Sequence, residues 1–334
     1  VLLFSTQWPE YMIELANAMA RKCTTILVLP SNHRFTEMHR RLICEEVVFA
    51  SYRVVFHQSI RDNVSMLSSI LRIIWRHRPD VIHIQANGHR LFFWIYLLLP
   101  RKVKVVNTIH DPIKHTGDIP SSSIDDSSAI FWGKIFTARY IVHGTHLRTL
   151  LSKAYGIKES KIAVIPDGNF GIYKKFHGHQ EKEDENAILF FGRIWRYKGL
   201  DVFIEACDRV AESYPAAKFL IVGTGEDILP YESSMRHPER FEIVNARVPL
   251  EDAGSYFQRA AMVVLPYIEA TQSGIIPVAF AYGKPVIATN VGSLPEVVEE
   301  GITGFIVPPC SPESVAECSA AMRSSICRRA KKRS

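Results

Sequence analysis

Two cations placed five residues apart are the side chains of this sequence best suited to bind a phosphate group. Arg193 and Lys198 follow the apolar run Ala187–Phe190 and Gly192. The run is typical of a buried parallel strand, and the glycine favours a turn of the backbone before a helix. A guanidinium offers a planar fork of donors, and an ammonium adds a point charge. This segment therefore predicts a site that holds a diphosphate.

A second segment with the same arrangement follows further along the chain. The apolar run Ala261–Leu265 leads to Ser273 and Gly274, at the start of an expected helix. Backbone N–H groups and the positive end of a helix favour an anion at such a place. Gly223 and Gly225 lack the third glycine of a dinucleotide fingerprint, so we interpret them as a tight turn near the ligand. The second half is thus predicted to bind a diphosphate group.

Short apolar runs alternate with amphipathic segments along the chain, which indicates parallel sheets covered by helices on both faces. In the first half the expected strands are Val1–Phe4, Thr25–Leu29, Val54–Phe56, Val81–Ile84, Val103–Thr108 and Tyr140–His143, and the expected helices are Pro9–Lys22, Ser65–His77, Arg90–Leu98 and Thr145–Tyr155. In the second half the expected strands are Ala187–Phe191, Lys218–Val222, Phe241–Ile243, Met262–Leu265, Pro285–Thr289 and Gly304–Val307. The helices expected there are Leu200–Tyr214, Ile228–Arg236, Glu251–Arg259, Gly274–Tyr282, Leu294–Glu299 and Ser311–Arg323.

Residues 171–186 interrupt this alternation, because they are rich in polar residues and lack apolar periodicity. We interpret them as a linker between an N-terminal domain of residues 1–170 and a C-terminal domain of residues 187–334. The fold class expected is α/β, with two Rossmann-like domains whose parallel sheets face each other across a cleft. Ligands bind at the carboxyl ends of the strands in such domains.

One histidine in the first half stands where a functional side chain is expected. His110 follows the expected strand Val103–Thr108. The carboxyl end of a parallel strand is where such a domain binds its ligands, so His110 is a candidate site residue. His115 and Asp118 lie in the loop just beyond it and are further candidate site residues.

The composition narrows the classes of protein that the chain can belong to. Its 334 residues, 47% hydrophobic and 22% charged, suit a globular protein of two domains. The net charge of +6 is modest and scattered, so it predicts no nucleic-acid footprint. The six cysteines form no CxxC pair, which favours reduced thiols and a cytoplasmic location. The histidines are dispersed, so no metal site is expected.

The most apolar stretch raises the question of membrane contact. Leu91–Leu99 is too short to span a bilayer and is interpreted as a buried helix, with contact at the membrane surface as the alternative. The basic tail 327–333 is typical of a solvated segment, with a polyanion or membrane contact as its alternative. Peripheral contact with a membrane is therefore kept open.

The succession of motifs resembles a known family. The motifs are Gly192-Arg193, Lys198-Gly199-Leu200-Asp201, Val222-Gly223-Thr224-Gly225, Leu265-Pro266-Tyr267 with Glu269, Ser273-Gly274, Gly283-Lys284-Pro285, Pro295-Glu296 and Gly301-Ile302-Thr303-Gly304, preceded by Pro79-Asp80-Val81-Ile82-His83, Thr108-Ile109-His110-Asp111 and Ile165-Pro166-Asp167-Gly168. In this order they resemble the retaining glycosyltransferases of family 4, which have the GT-B fold. The resemblance covers nearly the whole chain and is most specific in residues 187–307.

The resemblance implies a reaction. A nucleotide-diphosphate sugar would bind the second domain, and a saccharide or lipid-linked acceptor would bind the first. The sugar would be transferred with retention of its anomeric configuration and without a metal, as in the synthesis of a cell-surface polysaccharide or glycoconjugate. Protein cations and helix ends would carry the charge of the leaving diphosphate.

The resemblance also implies roles for single residues. Arg193 and Lys198 would stabilise the leaving diphosphate, and Glu269 and His110 would contact hydroxyl groups of the donor sugar. The backbone of Ser273, Gly274 and Ile275 would hold the donor, together with Gly192, Gly223 and Gly225.

The chain departs from the family pattern in places that keep other functions open. The family often carries a second Glu eight residues after the first, but Pro277 or Val278 stands at that position here. The usual glycine-rich loop after the first strand is replaced by Ser5–Pro9. Gln7 of this loop is a candidate acceptor contact, together with His115 and Asp118. A non-catalytic binder of sugar nucleotides, or an epimerase or phosphorylase on the same fold, remains an alternative function.

Overall fold

The structure is a computed structural model, and it describes residues 1–6, 8–31, 37–53, 59–85, 91–113, 130, 133–168, 170–176 and 181–331. These residues form two compact units. The described residues up to Ile172 belong to the first unit, and those from Tyr173 onward belong to the second. The expected bounds of the two domains, 1–170 and 187–334, stay a prediction.

The first unit is a parallel sheet with helices. Its strands are β1 (Leu2–Ser5), β2 (Thr25–Ser31), β3 (Val47–Arg53), β4 (Val81–Gln85), β5 (Lys104–Thr108), β6 (Thr137–Val142) and β7 (Ile162–Val164). They are ordered β3-β2-β1-β4-β5-β6-β7, and each neighbouring pair is parallel. The described helices are α1 (Pro9–Ala20), α2 (Glu37–Arg41), α3 (Ile60–His77), α4 (Leu91–Leu98), α5 (Thr145–Tyr155) and α6 (Ile172–Phe176).

The second unit has the same construction. Its strands are β8 (Ala187–Ile194), β9 (Lys218–Gly225), β10 (Phe241–Asn245), β11 (Met262–Leu265), β12 (Val286–Thr289) and β13 (Gly304–Val307). Their order is β10-β9-β8-β11-β12-β13, all parallel. Its helices are α7 (Leu200–Ser213), α8 (Leu229–Glu232), α9 (Leu250–Arg259), α10 (Ile275–Ala281) and α11 (Pro312–Lys331).

Buried apolar side chains explain why these segments form sheets and helices. In the second unit, Phe190 of β8 and Phe219 of β9 share one core with Phe203 of α7. In the first unit, Leu2 of β1 and Ile74 of α3 belong to a single core. Strands covered on both faces read as continuous apolar runs in the sequence. The two parallel sheets with their helices confirm the expected α/β class with two Rossmann-like domains.

Several expected element bounds need correction. The strand expected at Val54–Phe56 lies outside the described residues, and the strand of that region is β3, Val47–Arg53. The helix expected at Leu294–Glu299 is only a short 3₁₀ turn, Leu294–Glu296. Helix α11 runs on to Lys331, beyond the expected end. The segment interpreted as a linker contains α6 and the residues that lead into β8.

The described helices and cysteines relate to the expectations about membrane contact and about reduced thiols. Within the described ranges, no helix has both the length and the apolar character needed to cross a bilayer. The five described cysteine side chains are free thiols: Cys23, Cys44, Cys207, Cys310 and Cys318.

Candidate functional site

The segment that carries the two candidate cations begins inside a strand rather than at a turn. Gly192 adopts a φ of 135°, but β8 continues to Ile194. Gly192 lies opposite Gly223 in the β8–β9 register, and the pairing continues to Ile194 opposite Gly225. The sequence analysis expected a turn at Gly192, and this prediction is wrong because the strand continues past that residue. Arg193 is exposed, and its Nη2 donates a hydrogen bond of 3.1 Å to the Tyr197 hydroxyl.

Lys198 lies at the end of a 3₁₀ turn, Arg196–Lys198, which leads directly into α7. The turn ends at Gly199, whose φ of 66° is in the left-handed region. A Cβ at Gly199 would stand 3.0 Å from the Pro266 carbonyl carbon, so the residue also permits a close approach of two backbones. The glycine thus fixes the Lys198 turn against the segment that follows β11.

Backbone hydrogen bonds hold the same two segments together. The carbonyl oxygen of Tyr197 accepts the N–H of Ile268 at 2.8 Å and the N–H of Glu269 at 3.3 Å. Because β8 and β11 are parallel neighbours, their carboxyl ends meet at one edge of the sheet. The two segments singled out in the sequence are therefore brought together by the fold.

The Lys198 ammonium lies over an aromatic ring of the second segment. Its Nζ is 3.6 Å from the centroid of the Tyr267 ring, close enough for a cation–π contact. The Tyr267 hydroxyl is 3.2 Å from the Ser273 hydroxyl, and Ser273 Oγ accepts the N–H of Ile275 at 3.3 Å. Burial raises the pKa of Tyr267, so its phenol stays neutral. Lys198, Tyr267 and Ser273 form one connected group.

The glycines expected to form a tight turn near the nucleotide lie in a strand instead. Gly223 and Gly225 are in β9, paired with Gly192 and Ile194 of β8. A Cβ at Gly223 would stand 2.8 Å from the Gly192 carbonyl carbon, and one at Gly225 would stand 2.7 Å from the Ile194 carbonyl carbon. The expected turn is wrong, because these glycines let two strand backbones approach closely.

The structure also describes other residues at the positions expected to contact the donor. Gly274 is exposed and stands directly before α10, and Glu269 is half-buried. Pro277 and Val278, which occupy the place of the family's second Glu, are buried in α10. Neither offers a polar side chain to a ribose. Gln7, His115 and Asp118, the candidate acceptor contacts, lie outside the described residues.

In the first unit, His110 follows β5 and is buried among aromatic rings. The centroid of its ring is 4.5 Å from that of Trp8 and 6.0 Å from that of Tyr11. Its Nε2 is 3.3 Å from Gln85 Oε1 at the end of β4. Burial, reinforced by the neighbouring His143, lowers the pKa of His110 to about 3. His110 is therefore a neutral hydrogen-bonding group at neutral pH.

Two residues beside His110 were not selected from the sequence as site residues. The His143 ring centroid is 4.9 Å from that of His110, and His143 Nε2 is 3.4 Å from Asp167 Oδ1. His143 directly follows β6, and its place at a carboxyl end was the available signal, whereas Asp167 follows β7, a strand of only three residues. His83, by contrast, lies within β4, where its Nε2 is 2.7 Å from the Thr108 hydroxyl.

These groups define the chemistry that the described residues can perform. At the second sheet, cations and backbone N–H groups suit a diphosphate, and at the first, neutral imidazole and aromatic rings suit a sugar hydroxyl. Among the described residues, no cluster of three or more His, Cys, Asp or Glu side chains could hold a metal ion.

Two Rossmann-like units, the second with cations at its strand ends, are typical of the GT-B class of proteins. A family model described as Glycosyltransferase Family 4 matches residues 10–168, and one described as Glycosyl transferases group 1 matches residues 185–323. The chain belongs to this family of GT-B glycosyltransferases, family 4 or group 1. The resemblance seen in the sequence is thereby confirmed.

Individual relatives and structures agree with the family. An uncharacterized 41.2 kDa protein in the cps region of Klebsiella pneumoniae is 25% identical over 302 residues, 81% of this chain and 79% of that protein. A D-inositol 3-phosphate glycosyltransferase of Segniliparus rotundus is 29% identical over 179 residues, 49% of this chain and 39% of that protein. The chain spans about half the length of most curated relatives that it matches.

A solved structure shows the same fold. The Anabaena protein HepE, in complex with UDP and glucose, superposes with a TM-score of 0.66 at 16% identity, covering 96% of this chain and 89% of HepE. At this identity the likeness concerns the fold.

Proposed function

We propose that this chain transfers a glycosyl group from a nucleotide-diphosphate sugar to a saccharide or lipid-linked acceptor, with retention of the anomeric configuration. One observation carries the proposal. The two segments that the sequence singles out for a diphosphate meet at the carboxyl ends of β8 and β11, where Lys198 lies 3.6 Å over the Tyr267 ring. The donor is assigned to the second unit and the acceptor to the first.

The charges at this edge suit a leaving diphosphate. Arg193 is exposed, and its described partner is the neutral Tyr197 hydroxyl rather than a carboxylate. Lys198 stands five positions further along, at the start of α7, where a helix end disfavours a bare cation but suits a cation–anion pair. Preorganised positive charge of this kind stabilises the negative charge that develops on a leaving group. We therefore propose that the protein itself supplies this charge, without a metal ion.

The proposed reaction moves one glycosyl group and one proton. The bond between the anomeric carbon and the diphosphate oxygen breaks, and a bond to the acceptor oxygen forms on the same face of the sugar. The leaving phosphate accepts the acceptor's proton. No carboxylate need form a covalent intermediate on this route, and Glu269 and His110 are assigned to hydroxyl groups of the donor sugar.

Replacing each cation tests the proposal. Arg193→Ala and Lys198→Ala should each lower turnover by about 10²-fold, the scale of losing one preorganised charge contact. Lys218→Ala is the matched control, because Lys218 is a cation at the opposite end of β9 and pairs with Asp184 at 2.8 Å. Near-normal turnover in both site variants would refute the assignment. The anomer of the product, identified by NMR, tests retention, and turnover in excess EDTA tests independence from metals.

The donor can be identified without knowing the acceptor. A panel of UDP, GDP and ADP sugars is screened by thermal shift, because a ligand that binds only the folded state raises its melting temperature. UDP-glucose is the first probe, since the HepE structure holds UDP and glucose. Binding without turnover would favour a non-catalytic sugar-nucleotide binder. Product formed without any acceptor would favour an epimerase or phosphorylase.

We further propose that the first unit contacts an anionic membrane surface through α4 and the turn before β6. Trp94, Leu97 and Leu98 of α4 are 53%, 48% and 46% exposed, and Ile135 of the turn is 71% exposed. The two elements touch, because the Tyr96 and Phe136 rings stack at 5.7 Å. Large apolar side chains exposed together are typical of an interaction surface.

The charge around this surface indicates which partner it suits. Arg101 and Lys102 follow α4 and are exposed, and Lys134 stands beside Ile135. Residues 91–110 and 133–143 contain no acidic residue. Cations beside interfacial tryptophan and leucine complement anionic lipid headgroups. A cytoplasmic protein that works at the membrane, on an acceptor for a cell-surface polysaccharide, would fit this surface.

Vesicle flotation tests the membrane contact. We expect the protein to float with phosphatidylglycerol-containing vesicles more than with pure phosphatidylcholine, and less at high salt. Arg101→Glu with Lys102→Glu should abolish the preference, whereas Leu229→Ser, which removes a residue 62% exposed in the second unit, should leave it intact. Equal flotation with both vesicle types would refute the contact.

A further inference from the structure

The carboxyl ends of β6 and β7 bring together a histidine and an aspartate that the proposed function leaves without a role. Val142 of β6 and Val164 of β7 are direct neighbours in the sheet, and Ile165 donates its N–H to the Val142 carbonyl at 2.9 Å. His143 and Asp167 follow these strands. Their side chains are only 2% and 12% exposed. A buried pair of titratable groups beside His110 requires a physical explanation.

The protonation of His143 follows from what surrounds its two ring nitrogens. Nδ1 is 2.8 Å from the Ile165 carbonyl oxygen, which can only accept, so Nδ1 carries a hydrogen and donates it. Nε2 is 3.4 Å from Asp167 Oδ1, a distance that makes an ion pair rather than a hydrogen bond. A lone pair on Nε2 facing an ionised carboxylate would be repulsive. One proton must therefore reside on Nε2 or on the carboxyl group.

The groups around the pair limit how much charge this region can hold. Burial raises the pKa of Asp167, while the attraction of His143 lowers it. Two imidazoles 4.9 Å apart cannot readily both be charged at a buried site. The other titratable groups around His143 and His110 come from α1, from β4 and from the loops after β5 and β7: Tyr11, His83, Asp111 and Asp167.

We propose that His143 and Asp167 hold one shared proton and act as a positioning pair for His110, an assignment that rests on the proposed function of His110. The His143 ring is fixed by the Ile165 carbonyl on one side and the Asp167 carboxyl group on the other. His110 is then held between two rings, Trp8 at 4.5 Å and His143 at 4.9 Å. When the shared proton resides on Nε2, the positive charge of the His143 ring, 4.9 Å away, disfavours a proton on His110. His110 is thus kept neutral and oriented to bond a sugar hydroxyl.

The shared proton can be observed without turnover. The protein labelled with ¹⁵N-histidine and ¹³C-aspartate is titrated by NMR, and His143 and Asp167 are assigned with His143→Asn and Asp167→Asn. At pH ~7 we expect Nδ1 to be protonated, with the second proton on either Nε2 or the Asp167 carboxyl group. In Asp167→Asn, Nε2 should be deprotonated at the same pH. A neutral His143 beside an ionised Asp167 in the unmodified protein would overturn the proposal.

A matched pair in the same unit separates this effect from the loss of any buried carboxylate. His39 Nε2 lies 3.1 Å from Glu10 Oε1, and these side chains are 6% and 17% exposed. Glu10→Gln removes the same charge from a similar pair in the same unit. It should leave the His143 signals and the pH profile of donor turnover unchanged.

The pH profile tests the positioning role. Without charge on His143, His110 takes up a proton more easily, so in Asp167→Asn the acid limb of kcat/KM should move up by about one pH unit. An unmoved limb in a variant that still binds nucleotide would refute the positioning role and leave the proposed transfer standing. If no nucleotide binds the unmodified protein, the proposed function fails, while the NMR titration still decides whether the proton is shared.

Discussion

Substituting Gly223 by alanine should open the sheet of the second unit locally. Gly223 lies opposite Gly192 in the β8–β9 register, and an added Cβ would stand 2.8 Å from the Gly192 carbonyl carbon and still closer to its oxygen. Ordinary carbon contacts need about 3.5 Å or more. The neighbours are backbone atoms of a central strand, so no side chain can rotate away, and the two strands must move apart.

The size of the effect follows from the bonds that this movement breaks. Separating the strands by about 1 Å removes roughly two or three ladder hydrogen bonds, each contributing about 1 kcal/mol net. The exposed polar groups add to the cost, so the local stability should fall by about 3 kcal/mol or more. A free-energy change of that size corresponds to about a 10²-fold change in the opening equilibrium.

Hydrogen exchange measured by mass spectrometry reads this change directly, because it reports local opening without assuming that the whole chain unfolds in one step. Peptides from β8 and β9 should lose about 10²-fold in protection in Gly223→Ala. Gly168→Ala is the control, because a Cβ there meets nothing within 4 Å. Unchanged protection of both strands in Gly223→Ala would refute the close approach and restore a role in ligand binding as the reason for this glycine.

Two further perturbations test other parts of the molecule. Tyr267→Phe keeps the ring under Lys198 but removes the 3.2 Å contact with Ser273, so nucleotide affinity measured by calorimetry should fall by about two- to tenfold. Tyr267→Leu, which also removes the ring, should lose more, and equal losses would contradict the cation–π contact. Burial lowers the pKa of His83 to about 4, so the unfolded chain binds more protons than the folded one between pH ~6.5 and ~4. Stability should fall as the pH falls through that window, and His83→Gln should flatten the dependence of the melting temperature on pH.

The fold was predictable because its signals are local. Helix α5, Thr145–Tyr155, has the expected bounds, since Gly144 precedes it and Gly156 ends it in the left-handed region. Helix α3 begins earlier than expected, at Ile60. Serine is a preferred N-cap residue, so Ser59 was a sequence signal for this start. In the structure, Ser59 Oγ accepts the N–H of Asp62 at 3.1 Å.

The candidate site was predictable only where one segment carried both the residue type and its place at a strand end. Arg193 and Lys198 met that condition. The pairing of His143 with Asp167 did not, because it depends on β7, a strand of three residues that no apolar periodicity announces. The role of Gly223 also lay outside the sequence, since a glycine at a strand end reads equally as a turn or as a place where another backbone approaches.

The bonds from the Tyr197 carbonyl to Ile268 and Glu269, with the tight approach of Gly199 to Pro266, have a consequence for protein engineering. The stretches 192–199 and 266–274 are held together by these backbone contacts and form one structural unit. If only one stretch were replaced by that of a related protein, its backbone would have to match the hydrogen bonds and the close approach of the stretch that was kept. Attempts to change the donor sugar of the proposed transfer should therefore transplant both stretches as a unit, with Gly199 retained.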